Sequence, residues 1–375
     1  MQINRYLTKI RYDFGGDSSY LQKLKAGSIV ISSWKRHIFS QLLTKSGCSC
    51  HQRIREDMIA AITNYFVECS PYFGTFVAVS YVLSQQLVRR QSSSHCVSSW
   101  LPSDDNVSKK HFEIFALYYT VVWIGAFMVV LATQAYEKFT PDGYMYLCVS
   151  LAAPFLLQPF VYPLAGEKNL PFWLRYSFKA NVWIAIFSFI GNYWYTHYFY
   201  TVLKASYSFP SHRLNDVPIA LYFATHFYFV TYHTLSNMML RKIETTYEPS
   251  IYRTAVFWAA VFAFSYFTAF METLTISSFP YYCFEDREMV YRIGSAFYGI
   301  YFIVSFPSFY RLDEKVNAQG GVLPHTLYQT VMESLGCSMG VLLLLDFARL
   351  ALSIPLTIGG VAYYVFDKKI KCANL

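Results

Sequence analysis

Residues 192–210 read NYWYTHYFYTVLKASYSFP, and the fold of the whole chain can be argued outward from them. They begin inside one apolar segment, Asn181 to Val202, and lead to a second, Pro218 to Leu240. Each segment is long enough to cross about 30 Å of hydrocarbon as a helix rising roughly 1.5 Å per residue. Both carry histidine and asparagine, which are costly in lipid and normally face a bundle interior. The stretch therefore predicts a membrane helical bundle with polar residues gathered inside.

The composition excludes an ordinary soluble domain. Hydrophobic residues make up 54% of the 375 residues, aromatic residues 19% and charged residues only 14%, which indicates an integral membrane protein. The net charge of +8 comes from short loops and an N-terminal stretch, not from one face of a domain. We therefore expect contact with anionic lipid headgroups of the bilayer and no nucleic-acid partner.

Hydropathy predicts an all-α fold, a polytopic membrane bundle of about seven transmembrane helices behind a basic N-terminal extension. Tyr and Phe, 33 of each, exceed what interfacial belts need, so some of these rings are expected to line a cavity. The predicted spans are 112–134, 143–165, 180–202, 218–240, 254–277, 292–310 and 336–358.

The chain divides into four predicted regions. Residues 1–57 form a basic extension, either transit-like or disordered, and 58–110 hold an amphipathic or weakly membrane-spanning segment with a linker. Residues 111–366 form the helical domain, and 367–375 form a basic tail. A modest lysine and arginine bias places the segment before His111 in the cytosol, so the sequon at Asn106 should stay unglycosylated.

The remaining charged residues and cysteines predict little chemistry. The eight cysteines show no repeated spacing, and Cys48 and Cys50 with His51 lack the second ligand pair of a zinc site. We expect neither a metal site nor a disulfide framework. Residues 313–315, Asp-Glu-Lys, read as a solvated face, and 346–349, Asp-Phe-Ala-Arg, as an intrahelical ion pair.

Polar residues recur at helical spacing in three of the predicted spans. In the fourth span Tyr222, His226, His233 and Asn237 share a stripe, and in the fifth Thr268 and Glu272 do. In the third, Trp194 and His197 share one face, and Asn192 lies on another. Antiparallel packing predicts that Glu272, His197 and His226 converge near one boundary of the membrane, with His233 deeper.

Each of these residues also has a purely structural interpretation. A histidine in a membrane helix can serve only to hydrogen-bond a neighbouring helix, at about 0.6 kcal/mol on average. The aromatic face around Trp194 can be packing. Glu272 is harder to explain structurally, because a carboxyl in apolar surroundings must be paired or protonated.

Several blocks resemble one known family. They include GNYWYTHYFYTVLKASYSFPS (191–211), NDVPIALYFATHFYFVTYHTLSN (215–237), SYFTAFMET (265–273) and FYGIYFIVSFPSFYRLDEK (297–315). In order and spacing these blocks resemble the cycloeucalenol cycloisomerases, cyclopropylsterol isomerases of plant sterol synthesis. The likeness covers roughly 111–315 and excludes the first 110 residues.

The resemblance implies a multi-pass enzyme of the endoplasmic reticulum that opens the 9β,19-cyclopropane of cycloeucalenol-type sterols to a Δ8 sterol such as obtusifoliol. It implies no cofactor, and it allows association with other enzymes of sterol biosynthesis. It supplies no catalytic residues, so roles must come from chemistry. Alternatives are a sterol Δ8–Δ7 isomerase and a non-enzymatic sterol- or lipid-binding membrane protein.

Ring opening by isomerisation needs an acid, a base and a dry cavity. We expect Glu272, kept protonated by burial, or His197 to donate the proton. His226, or else His233, would accept one. A second group of residues is expected to bind the sterol or its cation: Asn192, Tyr193, Trp194, Tyr222, Asn237 and Thr268.

Overall fold

The computed structural model describes residues 81, 85–90, 98–276, 279–285, 289–315, 323–356, 358 and 361–372. All of them belong to the second of two units in the chain, Pro71–Leu375. The predicted extension 1–57, the residues Cys48, Cys50 and His51, and most of segment 58–110 lie outside the described residues.

The described chain is mainly helical, with short strands at the helix ends. A π-helical turn, Gly191–Tyr195, joins α3 to α4 in one continuous rod, and a second, Val290–Gly294, leads into α7. The helices are α1 (Val107–Ala132), α2 (Pro141–Val161), α3 (Tyr176–Ile190), α4 (Thr196–Val202), α5 (Ile219–Thr246), α6 (Ile251–Ile276), α7 (Ser295–Arg311) and α8 (Leu327–Ala351). The strands are β1 (Ser206–Tyr207), β2 (Ser211–Leu214), β3 (Val217–Pro218), β4 (Tyr282–Cys283) and β5 (Tyr363–Phe366).

Each predicted span overlaps a described helical segment. Of the described helices, α1, α2, α6 and α8 are long and apolar enough to cross a membrane. The prediction for the last span, 336–358, was wrong at both ends, because α8 begins at Leu327 and ends at Ala351. Thr326 and Gln329 form a capping box there, with Gln329 N donating to Thr326 Oγ1 at 3.1 Å. This local signal starts the helix ahead of the apolar run.

Helix α5 lies at the centre of the bundle, in contact with α1, α2, α3, α6 and α7. Because protein surrounds it, its polar side chains need not face lipid. His226 is 3% exposed, and His233 and Asn237 are fully buried. The central position explains why the most polar of the long helices is also a core element.

One end of the bundle, the charged end, holds a buried ion network formed by Lys109, Glu113, Arg241 and Glu314. Arg241 donates to Glu113 at 2.8 Å and to Glu314 at 2.6 Å, and Lys109 pairs with Glu314 at 2.8 Å. The network ties α1, α5 and the end of α7 together. Removing one partner of such a buried group costs about 3–5 kcal/mol.

The expectation that residues 313–315 form a solvated face was wrong for its acids. Asp313 is 5% exposed and pairs with Lys179, while Glu314 belongs to the network at the charged end. Their partners come from helices distant in sequence, which local charge patterning does not reveal. The ion pair of Asp346 with Arg349 is confirmed at 2.6 Å.

The opposite end, the strand end, carries the five strands of the described residues. β1 pairs with β4, and β2 lies between β3 and β5, all antiparallel. Asn215 and Asp216 connect β2 to β3 with positive φ values of 51° and 60°, as a tight hairpin turn of the primed type requires.

The C-terminal tail is fastened across the strand end. Cys372 forms a disulfide with Cys283, a bond that the expectation of no disulfide framework did not include. Lys371 pairs with Glu137 at 2.9 Å, and Ile370 N donates to Ser208 O at 3.2 Å. The two cysteines are far apart in sequence, so their spacing gave no signal.

Candidate active site

A cavity lies near the strand end of the bundle. The π turn and α4 form one side of it, and α5, α6 and α7 form the other. Tyr207, Tyr282 and Phe284 form its wall at that end. The empty space in it is about 610 Å³. This volume includes a part open to the outside, so the enclosed part is smaller. The expectation that part of the aromatic surplus lines a cavity is confirmed.

Glu272 projects into this cavity from the last turns of α6. It is the only carboxyl among the described residues that line the cavity, and no lysine, arginine or histidine accompanies it there. Tyr298 Oη donates to Glu272 Oε2 at 2.8 Å, and Tyr232 also hydrogen-bonds the carboxyl. The two phenols fix the orientation of the carboxyl. Because no cation lines the wall to stabilise a carboxylate, the apolar surroundings favour the neutral acid.

Further tyrosines surround the same carboxyl. Tyr228 and Tyr301 line the cavity from α5 and α7, and Tyr207 stacks on Tyr282 with ring centroids 4.5 Å apart. Burial raises the pKa of Tyr207 and Tyr282, which lie outside the helices, so both remain neutral phenols. The faces of such rings are electron-rich and attract a positive charge.

The π turn places Asn192 in the cavity wall. Because a π turn holds more residues than an α turn, it shifts the register of everything that follows. Asn192 is 6% exposed and donates to Thr225 Oγ1 at 2.5 Å. Asn192 therefore lines the cavity, in a π turn that the sequence did not indicate.

The structure does not bring the predicted histidines to the carboxyl. His226 Nε2 donates to Asn181 Oδ1 at 2.8 Å, and neither residue lines the cavity. His233 Nδ1 donates to Phe229 O at 2.8 Å, and its Nε2 pairs with Ser305 at 2.9 Å. Both side chains already bridge helices, so the expected convergence of these side chains with Glu272 is not observed.

His197 lies at the strand end, beside the β2–β3 turn. It is 1% exposed and hydrogen-bonded to Asn215. Asn215 in turn donates to Tyr193 O at 2.8 Å. These contacts fix the turn against the π turn, and they leave His197 outside the cavity wall.

The aromatic residues predicted to bind the cation lie elsewhere. Trp194 is 39% exposed on the outer surface, whereas His197 is buried. In a regular helix the two residues would share a face, but Trp194 lies within the π turn. Tyr193 stacks on Phe189 with ring centroids 5.8 Å apart. The Tyr222 hydroxyl donates a hydrogen bond to Leu214 O at 3.2 Å. None of the three lines the cavity.

The last two predicted binding residues, Asn237 and Thr268, also lie outside the cavity wall. Asn237 donates to Glu113 at 3.0 Å in the charged end, far along α5 from the cavity. Thr268 is 6% exposed in α6 but does not line the cavity.

Sequence reasoning missed the tyrosines that hold Glu272. Tyr228 and Tyr232 are four residues apart on α5, and Tyr298 and Tyr301 three apart on α7, so each pair shares a helix face. The sequence contains this spacing, but many other aromatic residues flank the two pairs, so the pairs do not stand out. Within the described ranges, no group of three or more His, Cys, Asp or Glu side chains is arranged for a metal ion.

The fold and the site together define a helical membrane protein with one carboxylic acid set in an aromatic cavity. No protein-family model and no solved structure matches the chain. A curated protein of Arabidopsis thaliana named cycloeucalenol cycloisomerase is 41% identical over 273 residues, covering 72% of this chain and 95% of that protein. At this identity and coverage, the chain belongs to the cycloeucalenol cycloisomerase family.

Proposed function

We propose that this isomerase opens the 9β,19-cyclopropane of cycloeucalenol-type sterols to give a Δ8 sterol, with Glu272 moving the proton. Membership of the family supports the reaction class. The observation that carries the catalytic role is the position of Glu272, the only carboxyl among the described residues of the cavity wall.

The reaction needs one proton to be delivered and one to be removed. The Glu272 carboxyl gives its proton to the cyclopropane methylene, and the electron pair of the carbon 9 to methylene bond forms the new C–H bond. Carbon 9 becomes a tertiary cation. The electron pair of the C–H bond at carbon 8 then forms the double bond, and that proton leaves to a base.

The same carboxyl is the best candidate for that base. After donation it is a carboxylate, and no histidine lines the cavity among the described residues. His226, the acceptor expected from the sequence, is engaged with Asn181. One carboxyl that donates and then accepts leaves the enzyme unchanged after each turnover.

The tyrosines have two roles in this scheme. Tyr298 and Tyr232 donate to the carboxyl, and these bonds strengthen as it becomes a carboxylate, which lowers the barrier to proton donation. Tyr228 and Tyr301 offer ring faces to the cation, worth about 2 kcal/mol when desolvated.

We place the seven helical segments across the endoplasmic reticulum membrane, with the charged end in the cytosol and the strand end in the lumen. The Cys283–Cys372 disulfide at the strand end supports this orientation, because disulfides persist in the oxidising lumen and are rare in the cytosol. The positive-charge bias of the loops favours the same arrangement.

The test is Glu272→Gln, assayed in membranes from a sterol-auxotroph host fed a cyclopropyl sterol. The Δ8 product is measured by gas chromatography, and the amount of protein by immunoblot. We expect at least about a 10²-fold loss of turnover, because the amide cannot donate the proton in the same way.

Asp346→Asn is the matched control. It makes the same carboxyl-to-amide change at a residue that pairs with Arg349 and does not line the cavity, so turnover should be retained. Full activity in Glu272→Gln would refute the catalytic role. An equal loss in His226→Gln, with normal protein levels, would return the base to His226. No conversion by the wild type would refute the proposed reaction itself.

A further inference from the structure

The cavity holds a second polar position, formed by Asn192 and Thr225. Asn192 Nδ2 donates to Ser188 O at 2.8 Å and to Thr225 Oγ1 at 2.5 Å. The Thr225 hydroxyl donates in turn to Leu221 O. Both hydrogens of the Asn192 amide are thus used, whereas its carbonyl oxygen accepts no hydrogen bond from any described residue.

This position differs in kind from the one around Glu272. There, two phenols already donate to the carboxyl, and the proposed chemistry requires the cyclopropane to lie against it. At Asn192 the amide carbonyl oxygen is an unused hydrogen-bond acceptor, and the other residues of the cavity wall are mostly aromatic or aliphatic. A free acceptor in such a wall suits a ligand with a single hydroxyl donor on a hydrocarbon body.

A sterol is such a ligand. Its only polar group is the 3-hydroxyl, and burying a hydroxyl without a hydrogen-bond partner is unfavourable. The hydroxyl is at the far edge of ring A, whereas the cyclopropane is fused to the bond between carbons 9 and 10 in ring B. Fixing the hydroxyl at one point of the cavity therefore limits which carbon and which face of the rings reach Glu272.

We propose that Asn192 Oδ1 accepts a hydrogen bond from the sterol 3-hydroxyl, and that Thr225 holds the Asn192 amide in the orientation that presents this oxygen. This assignment rests on the proposed function and adds the residue that determines specificity for the hydroxyl. The π turn Gly191–Tyr195 is the element that places the amide in the wall, in keeping with the frequent use of π turns at functional sites.

The experiment is a competition between a 3β-hydroxy cyclopropyl sterol and its 3-deoxy analogue. Membranes receive both in equal amounts, and the ratio of the two ring-opened products gives the ratio of the kcat/KM values, independent of protein level. The wild type should favour the hydroxy sterol by roughly ten- to a hundredfold. In Asn192→Leu the ratio should fall towards one, mainly through a higher KM for the hydroxy sterol.

Asn181→Leu is the matched control, because it removes a buried asparagine of α3 that binds His226 and not the cavity. Its ratio should equal that of the wild type. Where Asn192→Leu fails to accumulate, Thr225→Val takes its place and should lower the ratio, since it releases the amide. An unchanged ratio in these variants would overturn the assignment. A wild type that converts neither sterol would instead overturn the proposed function.

Discussion

At the scale of single residues, the proposed chemistry depends on how Glu272 is held. A carboxyl that must give up a proton and recover it needs partners that favour neither form too strongly. Neutral phenols meet this need, because they stabilise the carboxylate by hydrogen bonds without adding a positive charge that would keep it ionised. The choice of tyrosine over arginine or lysine around Glu272 is consistent with a cycling acid.

Removing one phenol should therefore slow the reaction without preventing sterol binding. Tyr298→Phe deletes the 2.8 Å hydrogen bond to Glu272 and keeps the ring. A hydrogen bond to a charged group contributes about 1.5–3 kcal/mol, so kcat should fall roughly ten- to a hundredfold while KM changes little. Initial rates over a range of sterol concentrations measure both constants.

Tyr222→Phe is the appropriate comparison for that variant. Its hydroxyl donates to Leu214 O away from the cavity, so the deletion is chemically the same but should leave kcat near the wild-type value. If Tyr298→Phe kept the wild-type kcat, the phenol would be packing only, and the stabilisation of the carboxylate would have to come from Tyr232.

The sequence pointed to Glu272, which lies in the cavity wall, but not to the tyrosines around it. A carboxyl in an apolar helix is rare enough to stand out alone. A histidine is less informative, because it can serve only to bridge two helices. His226 pairs with Asn181 in this way, and His233 pairs with Ser305. Which partner a polar side chain meets depends on tertiary packing, and helical spacing gives only its direction.

At the scale of elements, the positions of the helices followed from hydropathy because an apolar run of about 20 residues has few alternatives. The π turn did not follow, because its residues, GNYWY, have no composition that separates them from an ordinary helix. Its consequence is large: Asn192 faces the cavity and Trp194 faces outward. Local register, more than helix position, limits what a sequence reveals about this site.

The C-terminal tail is a second element whose role follows from its contacts. Cys372 N donates to Pro280 O at 3.0 Å and its side chain bonds to Cys283, which lies between the cavity residues Tyr282 and Phe284. The tail therefore holds the loop that forms the wall at the strand end. Loosening it should weaken both the fold and the closure of the cavity.

Cys372→Ser tests this role. The disulfide links residues 89 apart in sequence, and loss of such a bond typically costs about 2–4 kcal/mol. The melting temperature of the purified protein in detergent should fall by roughly 3–5 °C. A reductant should lower the wild-type value similarly and leave the variant unchanged. A wild-type melting temperature insensitive to a reductant that has access to the bond would contradict a stabilising disulfide.

At the scale of the whole molecule, the two ends of the bundle differ chemically. The charged end is built from buried ion pairs, which need no particular redox environment. The strand end contains a disulfide and carries the cavity wall. This asymmetry, with the charge bias of the loops, predicts that the cavity lies in the lumenal half of the membrane.

Glycosylation mapping measures that orientation directly. A sequon on a flexible extension after Leu375 should be glycosylated in microsomes, because the tail lies at the proposed lumenal end. The native Asn106 should carry no sugar, since it is 4% exposed and donates to Asp313 O at the charged end. The measurement is an endoglycosidase-sensitive mobility shift, with an Asn-to-Gln change in the added sequon as control. A sugar-free extension together with a glycosylated sequon placed before His111 would invert the protein in the membrane and put the disulfide in the reducing cytosol, where it would not persist.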